Sequence, residues 1–199
     1  AVRGKIRLIL RCFMQTISNV IELMKLALSN VLPAAKVIID ATAGNGFDTL
    51  FLAEHSGETA KLFAFDIQAA AIAATKAKTK AYEAKITYLN CSHEKIGSII
   101  TEPIDVAVFN LGYLPGAKHT ITTQHESTLK AITTVIAQLS LNGICAVMVY
   151  PGHAEGAIEA QYIKEYVQKL SASKYTIGCY RLINHKKTAP YLYLIERTS

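Results

Sequence analysis

A chain of 199 residues, 51% hydrophobic and 18% charged, is long enough for one domain and too apolar for a disordered polymer. Its formal net charge of +6 admits an acidic partner such as nucleic acid, although a modest lysine excess also suits a solvated surface. No apolar run reaches the roughly 18 residues of a membrane span. The N-terminal stretch is interrupted by Arg7 and Arg11 and lacks a small-residue cleavage pattern, so neither a membrane segment nor a signal peptide is expected. Cys12, Cys91, Cys145 and Cys179 form no C-x-x-C pair, which favours reduced thiols in a cytoplasmic protein over disulfides or zinc; no metal is expected.

Residues 1–17 form a basic arm carrying Arg3, Lys5, Arg7 and Arg11; a short helix, a gene-start artefact or an RNA-touching arm all fit. Residues 18–199 read as a single catalytic-type domain. Asn19 and Glu22 match a capping box, and Val20, Leu23, Met24, Ala27 and Leu28 make one apolar helical face that Pro33 stops. Lys36–Ala41 is an apolar run suited to a strand buried on both faces. A glycine-bearing turn follows, then a helix to about Glu54.

Lys61–Asp66 is a second strand, and Gln68 to about Ala84 is an alanine-rich helix. Ile86–Asn90 is a third strand, after which Ser92 caps a short helix to about Ile100. Ile104–Asn110 is a fourth strand, residues 124–140 a helix, Asn142-Gly143 a turn, and Ile144–Tyr150 a fifth strand. Glu155–Leu170 is a helix, and Tyr175–Ile183 and Tyr191–Ile195 are the last strands. The seven residues between that pair are too few for a parallel crossover, so it should be antiparallel. The sum is an open α/β sheet of seven strands.

The turn after the first strand carries the chemistry. Gly44-Asn45-Gly46 before a helix suits a nucleotide-like ligand at the helix N-terminus, but Thr49 stands where a dinucleotide fingerprint needs its third small residue. Asp40 and Asp48 flank the loop; they would repel a pyrophosphate and suit a ligand with cationic groups and no phosphate, such as S-adenosylmethionine. Asp66 ends the second strand at close to the spacing of about 20 residues of an acid that binds ribose hydroxyls, or serves as a helix cap. Ser92 and His93 edge the same side.

Asn110-Leu111-Gly112-Tyr113 lies at the carboxyl end of the fourth strand, where an amide oxygen can accept from an amine and a tyrosine ring can stack on a base. His153 ends the fifth strand on the same side, as a substrate contact or a structural histidine. Lys186 and Lys187 fit a solvated loop, with phosphate contact the other reading.

Five stretches, Asp40–Ala53, Phe65–Gln68, Phe109–Gly116, Tyr150–His153 and Ile183–Lys186, together resemble the YtqB-like rRNA methylase family, from about residue 18 to the C-terminus. That family includes the bacterial tRNA methyltransferase acting on 5-aminomethyl-2-thiouridine. The resemblance implies a class I, Rossmann-like, S-adenosylmethionine-dependent methyltransferase fold, with a mostly parallel sheet and a C-terminal antiparallel hairpin. It implies N-methylation at the tRNA wobble position, giving 5-methylaminomethyl-2-thiouridine. By motif position Asn45, Asp66, Gln68, Ser92 and His93 would bind the cofactor, and Asn110, Gly112 and Tyr113 would form the target pocket. The chain departs from the family pattern at Phe47, commonly His, and at Ala117-Lys118-His119, usually Gly-Asp-Lys. His119 and His153 stand as substrate-side candidates. The expected partner is tRNA, or rRNA as the alternative, without a membrane; a homodimer is one compatible assembly. An rRNA or other amine methyltransferase, and a non-catalytic nucleotide- or RNA-binding module, are the competing readings.

Overall fold

The computed structural model describes residues 19–111 and 125–199. The basic arm, Gly112, Tyr113 and His119 therefore lie outside the described residues. Seven strands form one sheet: β1 (Val37–Asp40), β2 (Lys61–Phe65), β3 (Ile86–Leu89), β4 (Ile104–Asn110), β5 (Leu139–Val149), β6 (Tyr175–Tyr180) and β7 (Tyr191–Arg197). Their spatial order is β3-β2-β1-β4-β5-β7-β6. The first five are parallel, and β7 runs antiparallel to both β5 and β6. The expected seven-stranded sheet with a terminal antiparallel pair is what the chain adopts.

β1 is buried throughout because both faces are covered. Val37 and Ile39 point into a cluster with Ile132, Val135 and Ile136 of the helix α5 (His125–Gln138). Ile38 points the other way, toward Met24 and Leu28 of α1 (Val20–Ser29) and Leu52 of α2 (Phe47–His55). Strand alternation thus divides one apolar run between two cores. The capping box is half realised: the Asn19 side chain accepts from the Ile21 N–H at 3.0 Å, while Glu22 pairs with Lys25 at 3.0 Å rather than reaching back.

Several boundaries differ from expectation. β6 ends at Tyr180 rather than Ile183 and β7 runs on to Arg197, so ten residues, 181–190, join the pair. The alanine-rich helix α3 (Ala69–Lys78) stops at Thr79, and a 3-10 turn covers Lys80–Lys85. There the Thr79 hydroxyl lies 2.7 Å from the Thr75 carbonyl and 2.6 Å from the Tyr88 hydroxyl, tying the helix end to β3. After β3, residues His93–Lys95 form a 3-10 turn before the single turn α4 (Ile96–Ile99). Finally, Asn142-Gly143 is not a turn ahead of β5 but a bulge inside it. Ile104 pairs with Leu139 and Val106 already with Ile144, so the extra residues loop out, with Asn142 left-handed at φ 64°. Ser140 holds the bulge by donating to Asp105 at 2.6 Å, and Asp105 also accepts from the Lys36 and Val37 amides, bonds that draw its carboxyl below the usual range despite burial.

Candidate functional site

A parallel sheet gathers its strand ends, and with them the first turns of the following helices, at one edge. At the carboxyl edge here β1 delivers Asp40, β2 delivers Asp66 and β4 delivers Asn110.

The β1–α2 loop is built backward from Asp40. The Asp40 carboxylate is wholly buried, accepts from the Thr42 N–H at 3.1 Å and receives the Thr49 hydroxyl at 2.5 Å. Burial above all, and then the neighbouring Asp48, raises its pKa to about 7. Asp40 and Thr49 are both fully buried and bonded to each other, so they clamp the loop from beneath. Gly44 and Gly46 have φ values of 53° and 76°, left-handed conformations natural to glycine. Gly46 is constrained a second time, since a Cβ there would come within 2.8 Å of the Thr75 Cα. Thr75 also donates its hydroxyl to the Gly44 carbonyl at 3.2 Å. It was missed from the sequence; the one signal was a β-branched polar residue inside an alanine–lysine helix.

Asp66 crosses to the same loop. Its carboxylate accepts from the Gly44 N–H at 2.9 Å and from the Gln68 N–H at 2.8 Å. Asn90 donates to its backbone carbonyl at 2.9 Å. Asp66 is half-buried, and a carboxylate with two acceptor sites filled retains capacity for two more donors. Ser92 caps the Glu94 N–H at 3.3 Å. His93 is 8% exposed, packs edge-on against Phe109 and has Nδ1 3.2 Å from the Ala41 carbonyl. A carbonyl only accepts, so Nδ1 carries the proton and Nε2 is an acceptor, buried without a partner among the described residues. Burial holds the His93 pKa down, so the ring is kept neutral. Asn45 sits half-buried at the loop tip.

Asn110 is held twice. Its N–H donates to the Thr42 hydroxyl at 2.7 Å, and its side-chain Nδ2 donates to Asp48 at 2.8 Å. Asp48 is a first-turn residue of α2, buried to 7% exposure, and burial raises its pKa. Because the Asp48 carboxylate accepts, the amide nitrogen of Asn110 must face it, and Oδ1 is turned away. Asp48 thus orients the fourth-strand residue instead of facing a ligand as an open charge. Thr42, absent from the sequence reading, joins the two loops.

His153 sits at the N-cap of α6 (Ala154–Lys169), where its Nδ1 accepts from the Gly156 N–H at 3.0 Å. Next to it Tyr150 is raised to about 12 by burial and by Asp48.

The donor set fits S-adenosylmethionine. Asp66 has free acceptor capacity for ribose hydroxyls, the α2 N-terminus offers amides for a carboxylate, and the buried orphan Nε2 of His93 can accept from an amino group. No lysine or arginine lies within Asp40–Asp48 to hold a pyrophosphate.

Comparison with known proteins agrees with the fold and the cofactor. A family model for "Putative rRNA methylase" matches residues 62–196. The chloroplastic tRNA (mnm(5)s(2)U34)-methyltransferase of Arabidopsis thaliana is 28% identical over 188 residues, covering 88% of this chain and 69% of that protein. The "putative rRNA-methylase" of Clostridium thermocellum superposes with a TM-score of 0.87 at 31% identity, covering 90% of this chain and 97% of that one. A "putative methyltransferase" of Streptococcus mutans, in complex with SAH, gives a TM-score of 0.81 at 36% identity, covering 90% and 98%.

Proposed function

Because this chain belongs to the rRNA methylase family and has the class I S-adenosylmethionine-dependent methyltransferase fold, we propose that it N-methylates 5-aminomethyl-2-thiouridine at the tRNA wobble position, giving 5-methylaminomethyl-2-thiouridine. The observation that carries the reading is the Asn110 amide, fixed at the carboxyl edge with its nitrogen on Asp48 and its oxygen turned away, beside the glycine loop. The substrate in the printed name of the Arabidopsis relative supports the choice of nucleoside.

S-adenosylmethionine supplies an electrophilic methyl group on a positively charged sulfur. The acceptor must be a neutral amine, since an ammonium has no lone pair, and an alkylamine has an ordinary pKa of about 10. Asn110 Oδ1 accepts one amine N–H and thereby aims the nitrogen lone pair. Asp48 and Thr42 keep that amide from rotating. Asp66, Asn45, Gln68, Ser92 and His93 hold the donor, with Gly44 and Gly46 shaping the loop that presents it. Gly112 and Tyr113, two and three positions after Asn110 in sequence, complete the target loop, Tyr113 as a platform for the uracil ring. His153, the cap of α6, and His119 are the substrate-side candidates. Most of the acceleration comes from positioning, which supplies several kcal/mol without a strong base.

The test is nucleoside mass spectrometry of tRNA from cells lacking the protein. Accumulated 5-aminomethyl-2-thiouridine is expected; an unchanged nucleoside profile would sink the assignment. The family description favours rRNA as the second reading, and labelled methyl transfer to separated tRNA and rRNA fractions decides between them.

A further inference from the structure

The sheet topology brings one more segment to the carboxyl edge. β6 runs parallel to β5 and β7 antiparallel to it, so Tyr180, Leu192 and Met148 align beside Asn110. The β6–β7 loop, residues 181–190, therefore projects from the same edge as the glycine loop. Two backbone bonds, His185 N–H to the Leu182 carbonyl at 3.2 Å and Ala189 N–H to the Lys186 carbonyl at 2.9 Å, fold it into successive turns.

Its surface chemistry is unusual for a connecting loop. Arg181, His185, Lys186 and Lys187 are exposed, the loop contains no acid, and among the described residues Lys186 and Lys187 have no ion-pair partner. Ile183 is 96% exposed, the extreme among the large apolar residues of the described chain. Beneath the loop lies a cleft of about 630 Å³ whose walls include Asn19, Glu22, Met148, Tyr150, His185 and Pro190. It adjoins the carboxyl edge, because Met148 in its wall is paired in register with Asn110 and accepts from the Leu111 N–H at 3.1 Å.

We propose that the β6–β7 loop and this cleft seat the single-stranded RNA that flanks the target nucleoside. Lys186 and Lys187 face its phosphates, while His185 and Ile183 contact unstacked bases. The charges choose the occupant: a cationic loop whose Lys186 and Lys187 have no ion-pair partner among the described residues complements a polyanion. The lining of the cleft includes Met148, Tyr150 and Pro190 and no lysine or arginine, so the cleft itself takes a base rather than a phosphate. An exposed ring and an isolated aliphatic side chain suit splayed bases better than a paired helix.

The inference rests on the RNA-methyltransferase reading, and the experiment separates the two. Fluorescence anisotropy with a labelled tRNA anticodon stem-loop is measured for the full chain and for Lys186→Glu/Lys187→Glu, alongside calorimetry with S-adenosylhomocysteine. Expected is a loss of about 10-fold or more in RNA affinity, and a salt slope shallower by about 1.4, for two single-strand phosphate contacts. Cofactor-product affinity should stay unchanged, and Lys186→Arg/Lys187→Arg should retain RNA binding. Ile183→Ala should give a smaller loss with the salt slope intact. Wild-type RNA affinity and salt slope in the glutamate variant would overturn the surface alone. Competition by polyglutamate as effective as by RNA would assign the loop to an acidic protein and overturn it too. Absence of RNA binding by the wild-type chain would remove both the surface and the RNA reading.

Discussion

The two ends of the carboxyl edge handle their polar groups in opposite ways. On the β1–β2 side, Asp40, Thr49, Asp66 and Thr75 are bonded to one another's loops and are buried or half-buried. On the β6–β7 side, His185, Lys186 and Lys187 stand exposed, while Arg181 lies over the Tyr191 ring at 4.1 Å. Buried polar groups need internal partners because desolvation otherwise costs more than a hydrogen bond returns, whereas exposed cations remain hydrated until an anion displaces the water. The first side is shaped before ligand arrives; the second acquires its contacts on binding. Asn110 sits between them, tied to Asp48 and Thr42 with its Oδ1 turned away from Asp48.

The sharpest way to break this contrast is through Asp40. Its folded pKa of about 7 lies above the ordinary value of 3.8, so between those pH values the folded state binds a proton that the unfolded state has released. Its contribution is complete below about pH 4 and is lost as pH rises through about 7, a change of at most about 4 kcal/mol. Urea denaturation across that range should show this descent in the wild type, and Asp40→Asn should remove it. An unaltered pH profile in the variant would place the proton elsewhere. Next in size, Asn110→Ala should slow methyl transfer by about 100-fold, of the order of losing one preorganised polar group, while S-adenosylhomocysteine binds as before. Asp48→Asn should lower kcat in the same direction without a matching change in cofactor affinity.

Smaller again, Gly46→Ala should cost about 2 kcal/mol of unfolding free energy, because it places a Cβ in a left-handed residue and against Thr75. If the variant melts with the wild type, the loop is less constrained than its geometry indicates. The mildest effect expected is about 10-fold weaker cofactor binding in Asp66→Ala, measured by calorimetry. A comparable loss in Lys186→Glu would erase the distinction between the two sides.

Much of this was legible in the chain. Val37 to Asp40 is uniformly apolar up to its terminal acid because a central parallel strand is buried on both faces, and the connection between the last two strands, seven residues as read from the sequence and ten in the structure, is too short for a parallel crossover. Asn110 and Asp66 could be placed at strand ends because strand ends are where apolar runs stop. The roles of Asp40 and Thr49 were not legible. Sequence shows an acid near a glycine loop but not which way its carboxylate points, and here it points into the fold. Thr75 was invisible for the same reason: its significance is a contact made 31 residues away.

Sequence alone determined the strand and helix order, the glycine turn, and the polarity of each segment, because hydrophobic period and turn chemistry are local. Tertiary structure alone decided that Asp48 and Asn110, 62 positions apart, share a hydrogen bond, and that the last loop returns to the edge where the first one stands. Those outcomes depend on strand order, and strand order is set by how two apolar faces are covered at once, which no single segment encodes.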